Sequence, residues 1–278
     1  MTQTSAMQFA PIPGAERLVG LHAAELPQKD ELCGAFWGAL AFRLARITVN
    51  GAEVDQDAIA LEAGTILSAS QLEPLPYGDP GRRDYRVAFP TVEDPAQSGT
   101  SAVGLVHALR ELAGDGAAII PIAGPWTPAA VRAMFDATDV CRESCTLIAN
   151  IATRYLWGSR TGPHAAFSYL VTGDDSDGDE PDWDIGHFVG LLGHIDGPKG
   201  ALVVVGDTYR VLGWQGLHLQ PIERFARALE RTGTGHPSGA IIVASPQDGP
   251  DIEGVLLAAG LELDLWDNGT PYTVSGAA

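Results

Sequence analysis

Gln28-Lys-Asp-Glu-Leu-Cys33-Gly34-Ala-Phe-Trp37 opens a helical pattern with a lone cysteine. Apolar residues recur beyond it at Phe36, Leu40, Leu44 and Ile47, a stripe of helical period. This predicts a helix from about Glu31 or Cys33 to about Arg46, with Asp30 as its N-cap. Far downstream, Gly186-His187-Phe-Val-Gly-Leu-Leu192 and Leu202-Val-Val-Val-Gly206-Asp207 read as successive apolar strands. A histidine heads the first and an aspartate closes the second.

A thiol at a helix start, a histidine on a strand and an aspartate at the end of the next strand are the parts of a thiolate nucleophile, its base and the group that orients the base. The positive end of a helix dipole and a nearby imidazolium both favour a thiolate. His187 is assigned as general base and then acid, and Asp207 as the acceptor of its Nδ1–H. Gly34 leaves room beside Cys33 for a substrate backbone. Asp30 and Glu31 oppose a negative sulfur, so the histidine has to dominate. Each residue also has a plainer reading. Cys33 is then a small buried hydrophobe, His187 a satisfied core histidine, Asp207 a turn residue at a strand end and Gln28 a surface glutamine.

The order Gln28, Cys33-Gly34, His187, Asp207 resembles the papain-like cysteine peptidases, most closely their C39-like branch, over roughly residues 20 to 245. Three short stretches carry the resemblance. It implies an α+β, papain-like fold in which a nucleophile helix packs on an antiparallel sheet. It implies a Cys33-His187-Asp207 triad, with the Gln28 side chain and the Cys33 backbone N–H donating to an oxyanion. It also implies a peptide, amide or thioester substrate and no metal or organic cofactor. The chain departs from the family pattern in three places. Leu32 precedes the cysteine where the family often has Asp. Thr208 follows the aspartate where Pro is frequent. An extra turn, Asp196-Gly-Pro-Lys-Gly200, separates the two strands.

Composition limits the alternatives. The 278 residues are 45% hydrophobic and 19% charged, a globular balance with ample material for a core. The formal net charge is -18, which repels nucleic acid and anionic membrane and argues against both as partners. No apolar run reaches the roughly 20 residues of a membrane helix. Met1-Thr-Gln-Thr-Ser-Ala-Met-Gln8 lacks the basic and apolar regions of a secretion signal. Cys33, Cys141 and Cys145 are a sparse, odd set suited to a reducing compartment, so a cytoplasmic protein is expected. No His/Cys spacing suits zinc, and no serine elbow, P-loop or dinucleotide fingerprint occurs.

The organisation expected is one domain over 1–278. Residues 1–20 read as an irregular lead-in, 65–99 as a long, proline-rich, mobile loop, and 246–278 as a C-terminal extension. Helices are expected at 56–63, 101–112 with Thr100 as cap, 127–137 with Thr127 as cap, 221–230 and 252–259. Strands are expected at 117–123, 146–153, 165–172, 187–192, 202–205, 211–214 and 240–244. The acidic run Gly173-Asp-Asp-Ser-Asp-Gly-Asp-Glu180 lacks calcium-loop spacing and reads as a solvated loop. Trp157-Gly-Ser-Arg160 and Gly213-Trp214-Gln-Gly216 are open to two readings: walls of a substrate subsite, or turns anchored by their tryptophans.

The expected activity is cysteine-dependent acyl transfer. A peptidase or amidase results if water resolves the thioester, and an amide-forming acyltransferase of a natural-product pathway if an amine does. The rival from another class is a binding module that keeps the fold without catalysis.

Overall fold

The segment after Asp30 folds as expected at its centre and differs at its start. The computed structural model describes residues 7–69, 75–231 and 238–272. Helix α2, Cys33–Ala45, begins at the cysteine, but its N-cap is Leu32, without a side-chain cap. Asp30 is instead buried and accepts from the Arg82 backbone N–H and the Arg83 guanidinium. Nearly every α2 residue is buried, the pattern of a helix surrounded by protein on all sides.

Two elements precede α2 where an irregular lead-in was expected: strand β1, Gln8–Pro11, and helix α1, Ala15–Glu25. Their signal is faint, because β1 is mostly exposed and α1 buries only Ala15, Leu18 and His22. After α2 come a small hairpin, β2 (Thr48–Val49) and β3 (Ala52–Glu53), and helix α3, Gln56–Glu62. Asn50 and Gly51 turn the hairpin with positive φ values of 53° and 77°, the backbone of a primed turn.

The remaining elements are strands β4 (Leu67–Ser68) and β5 (Thr91–Val92), helix α4 (Ala102–Ala113), strand β6 (Ala118–Ala123), helix α5 (Pro128–Thr138), strand β7 (Thr146–Ala152), helix α6 (Pro163–Thr172), strands β8 (Gly186–Asp196), β9 (Ala201–Gly206) and β10 (Leu217–Pro221), helix α7 (Ile222–Glu230), strand β11 (Gly239–Ala244) and helix α8 (Gly249–Ala258). Seven strands make one sheet, ordered β10-β9-β8-β7-β11-β6, with β1 also pairing with β8. Every pairing in it is antiparallel. The fold is therefore mixed α+β around an antiparallel sheet. Pro121 sits in β6, the strand at one end of the sheet order, where a missing N–H is tolerated.

Several boundaries are corrected. Residues 165–172 form helix α6, not a strand. Pro163 stands in its first turn, Gly173 closes it in the left-handed region, and Ala165, Ala166, Tyr169 and Leu170 bury one helical stripe. Residues 211–214 form a turn whose Gly213, Gln215 and Gly216 all have positive φ, and the strand follows at Leu217–Pro221. Ser101, not Thr100, caps α4; the Thr100 hydroxyl pairs with that of Thr65. The described part of the stretch from residue 246, up to 272, is no appendage; residues 273–278 lie outside the described residues. Helix α8 leads into a segment that pairs Glu262 with Ala123 and docks Asn268 on Ala102 N–H and Thr100 O. Cys141 and Cys145 lie beyond the end of α5, both buried.

Glycines seat α2. Gly190 in β8 and Gly206 in β9 are register partners. A Cβ on either would come within 2.3 Å and 2.8 Å of the Trp37 ring. The indole thus lies over a bare patch of sheet. On α2 itself, Gly34 and Gly38 admit neighbours: a Cβ on Gly34 would meet Leu105 at 3.0 Å and Phe188 at 3.2 Å, and one on Gly38 would meet Ile59 at 3.0 Å. Gly34 is therefore a packing contact between helix and sheet, not an opening for substrate.

One substitution tests this seat, and a second, at an uncrowded glycine, gives the contrast. Gly190→Val should cost about 3 kcal/mol of folding stability, the upper end for overpacking. Gly254→Ala, in α8 with nothing within 4 Å of the new Cβ, should gain about 0.5–1 kcal/mol by improving helix propensity. Urea titration of both variants reads the two effects; equal midpoints would refute the packing role assigned to Gly190.

Candidate active site

Cys33 is the first residue of α2, half-buried, at the end of the helix where backbone N–H groups lack intrahelical partners. His187 is the second residue of β8, and Asp207 follows the last residue of β9. Antiparallel pairing of β8 and β9 and the seating of α2 over both bring the three together. His187 Nε2 lies 3.0 Å from Asp207 Oδ1. Both side chains are buried.

The ring is reversed from the sequence expectation. Nε2, not Nδ1, faces the aspartate, with the Thr208 hydroxyl also 3.3 Å away. That leaves Nδ1 for a partner other than the aspartate, and Cys33 lines the same cavity as His187. Burial alone pulls the His187 pKa down. The Asp207 carboxylate and then the Cys33 sulfur outweigh it and push it up to about 10. Burial likewise opposes an ionised Asp207, but the charge and hydrogen bond of His187, with help from His218, hold its carboxyl well below the ordinary range. The pair is thus an imidazolium facing a carboxylate across neutral pH.

Gln28 stands close by because its backbone N–H donates to Thr208 O at 2.9 Å, which ties the segment before α2 to the end of β9. Its side-chain amide lies 2.9 Å from the Tyr209 hydroxyl through Nε2, and its Oε1 has no hydrogen-bond partner among the described residues. Cys33, Gln28 and His187 line one cavity of about 550 Å³, walled also by Asn150, Trp183, Phe188, Tyr209, Asn268 and Thr270. Asp207 sits behind it. Trp183 packs on the His187 ring at 5.0 Å between centroids and on Tyr209 at 5.4 Å, so the imidazole is shielded by aromatics.

The acids beside Cys33 are occupied elsewhere. Asp30 is paired with Arg83, and both Glu31 oxygens accept the Ser68 backbone N–H. Lys29 is buried on Asp57 at 2.7 Å and donates to Asp84 O. The Tyr85 hydroxyl donates to Asp30 O, and Arg82 donates to Pro27 O. The described part of the stretch expected to be a mobile loop is thus strapped to residues 27–31; residues 70–74 of it lie outside the described residues. Leu75, Pro95, Ala96, Ser98 and Gly99 from this stretch form a further wall of the cavity.

The other expected subsite residues are not there. Trp157 is buried against Tyr169, with its indole N–H donating to Asp175 O, and does not line the cavity. Arg160 is exposed and away from it. Trp214 is 78% exposed at the tip of the turn before β10 and also away from it. The anchored-turn reading therefore holds for Trp157. Sequence reasoning missed Tyr209, Trp183 and Asn150, noted Thr208 only as a departure from the family pattern, and placed His22 and His218 among scattered histidines, with His164 or His218 as a cleft residue and alternative base. His22 on α1 donates through Nε2 to the Asp207 backbone carbonyl and stacks on Trp37 at 5.5 Å. His218 Nε2 lies 3.3 Å from Asp207 Oδ2. His218-Leu-Gln220 on one strand was the available signal, and it was obscured by placing that strand at 211–214.

Comparison with known proteins adds a family and no activity. The chain belongs to DUF6885, a family of unknown function. The family model matches residues 12–267, so every residue of the Cys33-His187-Asp207 cluster falls inside it. No curated protein and no solved structure matches the chain. Among the described residues no helix is long and apolar enough to cross a membrane, and no three His, Cys, Asp or Glu side chains are grouped to hold a metal ion.

Two measurements bear on this geometry. Cys33 opens to the cavity, whereas Cys141 and Cys145 are 7% and 2% exposed. Iodoacetamide should therefore modify Cys33 first in the folded protein, as peptide mapping would show; equal labelling of all three would count against the placement. The second concerns pH. A raised His187 pKa stabilises the fold fully below the unfolded value of about 6.5 and loses that contribution as pH rises through about 10. A depressed Asp207 pKa stabilises above about 3.9 and loses its contribution as pH falls below that. Asp207→Asn should flatten the stability profile at both ends, as urea midpoints across the pH range would show. A profile parallel to wild type would remove the ion pair from the account.

Proposed function

We propose that this protein is a cysteine-dependent acyl-transfer enzyme of papain-like character that cleaves a peptide or amide bond. The supporting observation is the buried His187-Asp207 pair set against a thiol at a helix N-terminus in a cavity of about 550 Å³. Proteins of unrelated descent arrange nucleophile, base and orienting carboxylate in the same way, so the reading rests on roles and geometry rather than on fold alone.

In this reading the Cys33 sulfur, negative beside the His187 imidazolium, attacks the substrate carbonyl carbon. A C–S bond forms and the carbonyl oxygen takes the negative charge. Gln28 and the Cys33 backbone N–H donate to that oxygen. The Gln28 amide serves best with Nε2 turned toward the cavity and Oε1 accepting from the Tyr209 hydroxyl. One such donor contributes about 3–4 kcal/mol to the transition state. The C–N bond then breaks, and His187 delivers its proton to the leaving amine. Water, deprotonated by His187, attacks the thioester, releases the carboxylic acid and restores the sulfur. Asp207 keeps the ring oriented and its charge balanced throughout.

A second acceptor is favoured by one observation. The strapped 75–99 stretch and the Asn268–Thr270 segment wall the cavity that Cys33 opens to. Limited water access prolongs a thioester and favours an amine nucleophile. Intracellular action fits the scarcity of cysteine and belongs to this proposal.

An activated ester tests the reading without knowledge of the substrate. p-Nitrophenyl acetate should acetylate Cys33, as intact mass and peptide mapping would show, and Cys33→Ala should not react. His187→Ala should slow acylation by about 10²–10⁴-fold. The double variant should be no worse than either single one, because members of a catalytic unit do not contribute additively. Decay of the acetyl-enzyme with and without glycine ethyl ester separates a hydrolase from an acyltransferase. Acetylation of Cys33 unaffected by His187→Ala would reject the proposal.

A further inference from the structure

Asp207 is held from both sides. His187 approaches Oδ1 and His218 approaches Oδ2. His218 and Gln220 stand two apart on β10, so the strand projects them to the same side. Both are buried. The other ring nitrogen of His218, Nδ1, lies 3.0 Å from Gln220 Nε2. The Gln220 amide cannot be turned over without loss. Its Oε1 accepts the Trp157 backbone N–H at 2.7 Å, and its Nε2 donates to the Trp157 carbonyl at 3.0 Å. The peptide groups of Trp157 therefore fix which end of the amide is which.

We propose that His218 is a positioning residue: held by Gln220 as the Nε2–H tautomer, it donates to Asp207 Oδ2 and fixes the carboxylate with Oδ1 facing His187. The steps follow from donor and acceptor counting. Gln220 Nε2 carries two hydrogens, one for Trp157 O and one for His218 Nδ1. Nδ1 is thus an acceptor, and the ring proton sits on Nε2, facing Asp207. Orientation passes from the Trp157 backbone through Gln220, His218 and Asp207 to His187. Two further consequences follow. His218 supplies a hydrogen bond without a second positive charge, so Asp207 keeps its full charge for His187. With both nitrogens engaged, His218 is also excluded as an alternative base for Cys33. Trp157 acquires a role that substrate contact did not give it, since its backbone sets the tautomer.

The effect on Cys33 rests on the acyl-transfer reading; the tautomer does not. The test combines ¹⁵N-histidine NMR of the full chain with Cys33 alkylation by iodoacetamide. Two-bond correlations should show the His218 ring, assigned by its loss in His218→Gln, with a proton on Nε2 and none on Nδ1. Gln220→Glu places a carboxylate oxygen against Nδ1 and should move a proton onto that nitrogen. His218→Phe should slow Cys33 alkylation about tenfold, equivalent to about 1.4 kcal/mol, and shift the His187 resonances. His218→Gln, whose amide N–H₂ reaches the position of ring Nε2–H, should recover most of that loss. A purely structural role would not predict rescue by glutamine.

A wild-type His218 signal with the proton on Nδ1 would overturn the proposal. So would unchanged His187 resonances in His218→Phe. Should that variant fail to fold, the wild-type and Gln220→Glu spectra decide the matter. If Cys33 in the wild type alkylates no faster than Cys141, the nucleophile assignment fails, while the histidine spectra still confirm or refute the positioning chain.

Discussion

The Trp37 indole resting on the paired glycines of β8 and β9 is the contact on which the rest of this structure depends. A side chain at Gly190 or Gly206 would collide with the ring. Their absence lets α2 lie directly on the sheet, and the position of α2 sets that of Cys33 at its first turn. The same two strands carry His187 and Asp207. One packing contact therefore fixes the register of helix against sheet that brings sulfur, imidazole and carboxylate to one point. His22, stacked on Trp37 and bonded to the Asp207 backbone, links the seat to the site.

Asp207 is the electrostatic centre of that site. A buried carboxylate is costly unless it is paired and hydrogen-bonded. Here its oxygens receive His187, the Thr208 backbone N–H and His218. The same contacts that make its charge tolerable define its orientation. The raised basicity of His187 is the converse of the depressed pKa of Asp207: burial opposes both shifts, and the attraction of the opposite charges held side by side outweighs it. Breaking one partner would strand the other charge in the interior.

Around this centre the chain uses its charges to hold loops. Lys29, Asp30 and Glu31 precede the nucleophile candidate, and each anchors the stretch between α3 and α4. The acidic run after α6 is pinned likewise, with Asp175 against Arg224. Of the acids that look hostile to a thiolate in sequence, Asp30 is neutralised by Arg83, whereas Glu31 is held by the Ser68 backbone N–H and lines the cavity with Cys33.

The sequence by itself determined the helix at Cys33, the two apolar strands, one headed by His187 and one closed by Asp207, the mixed α+β character and the cluster residues Gln28, Cys33, His187 and Asp207. These signals are local: a 3.6-residue stripe, runs of β-branched residues and polar residues at element ends. Helix α6 was also locally legible, in Pro163 and Gly173, but its apolar residues fit a strand equally well. Only the tertiary structure decided which ring nitrogen of His187 meets Asp207, that Gly34 serves packing, that Trp157 and Trp214 do not line the cavity, and that His218 and Gln220 stand against Asp207. Those facts depend on which strand lies beside which and in what register. A one-residue shift in a strand exchanges its two faces, and no pattern within β10 or its preceding turn records the neighbour that fixes that register.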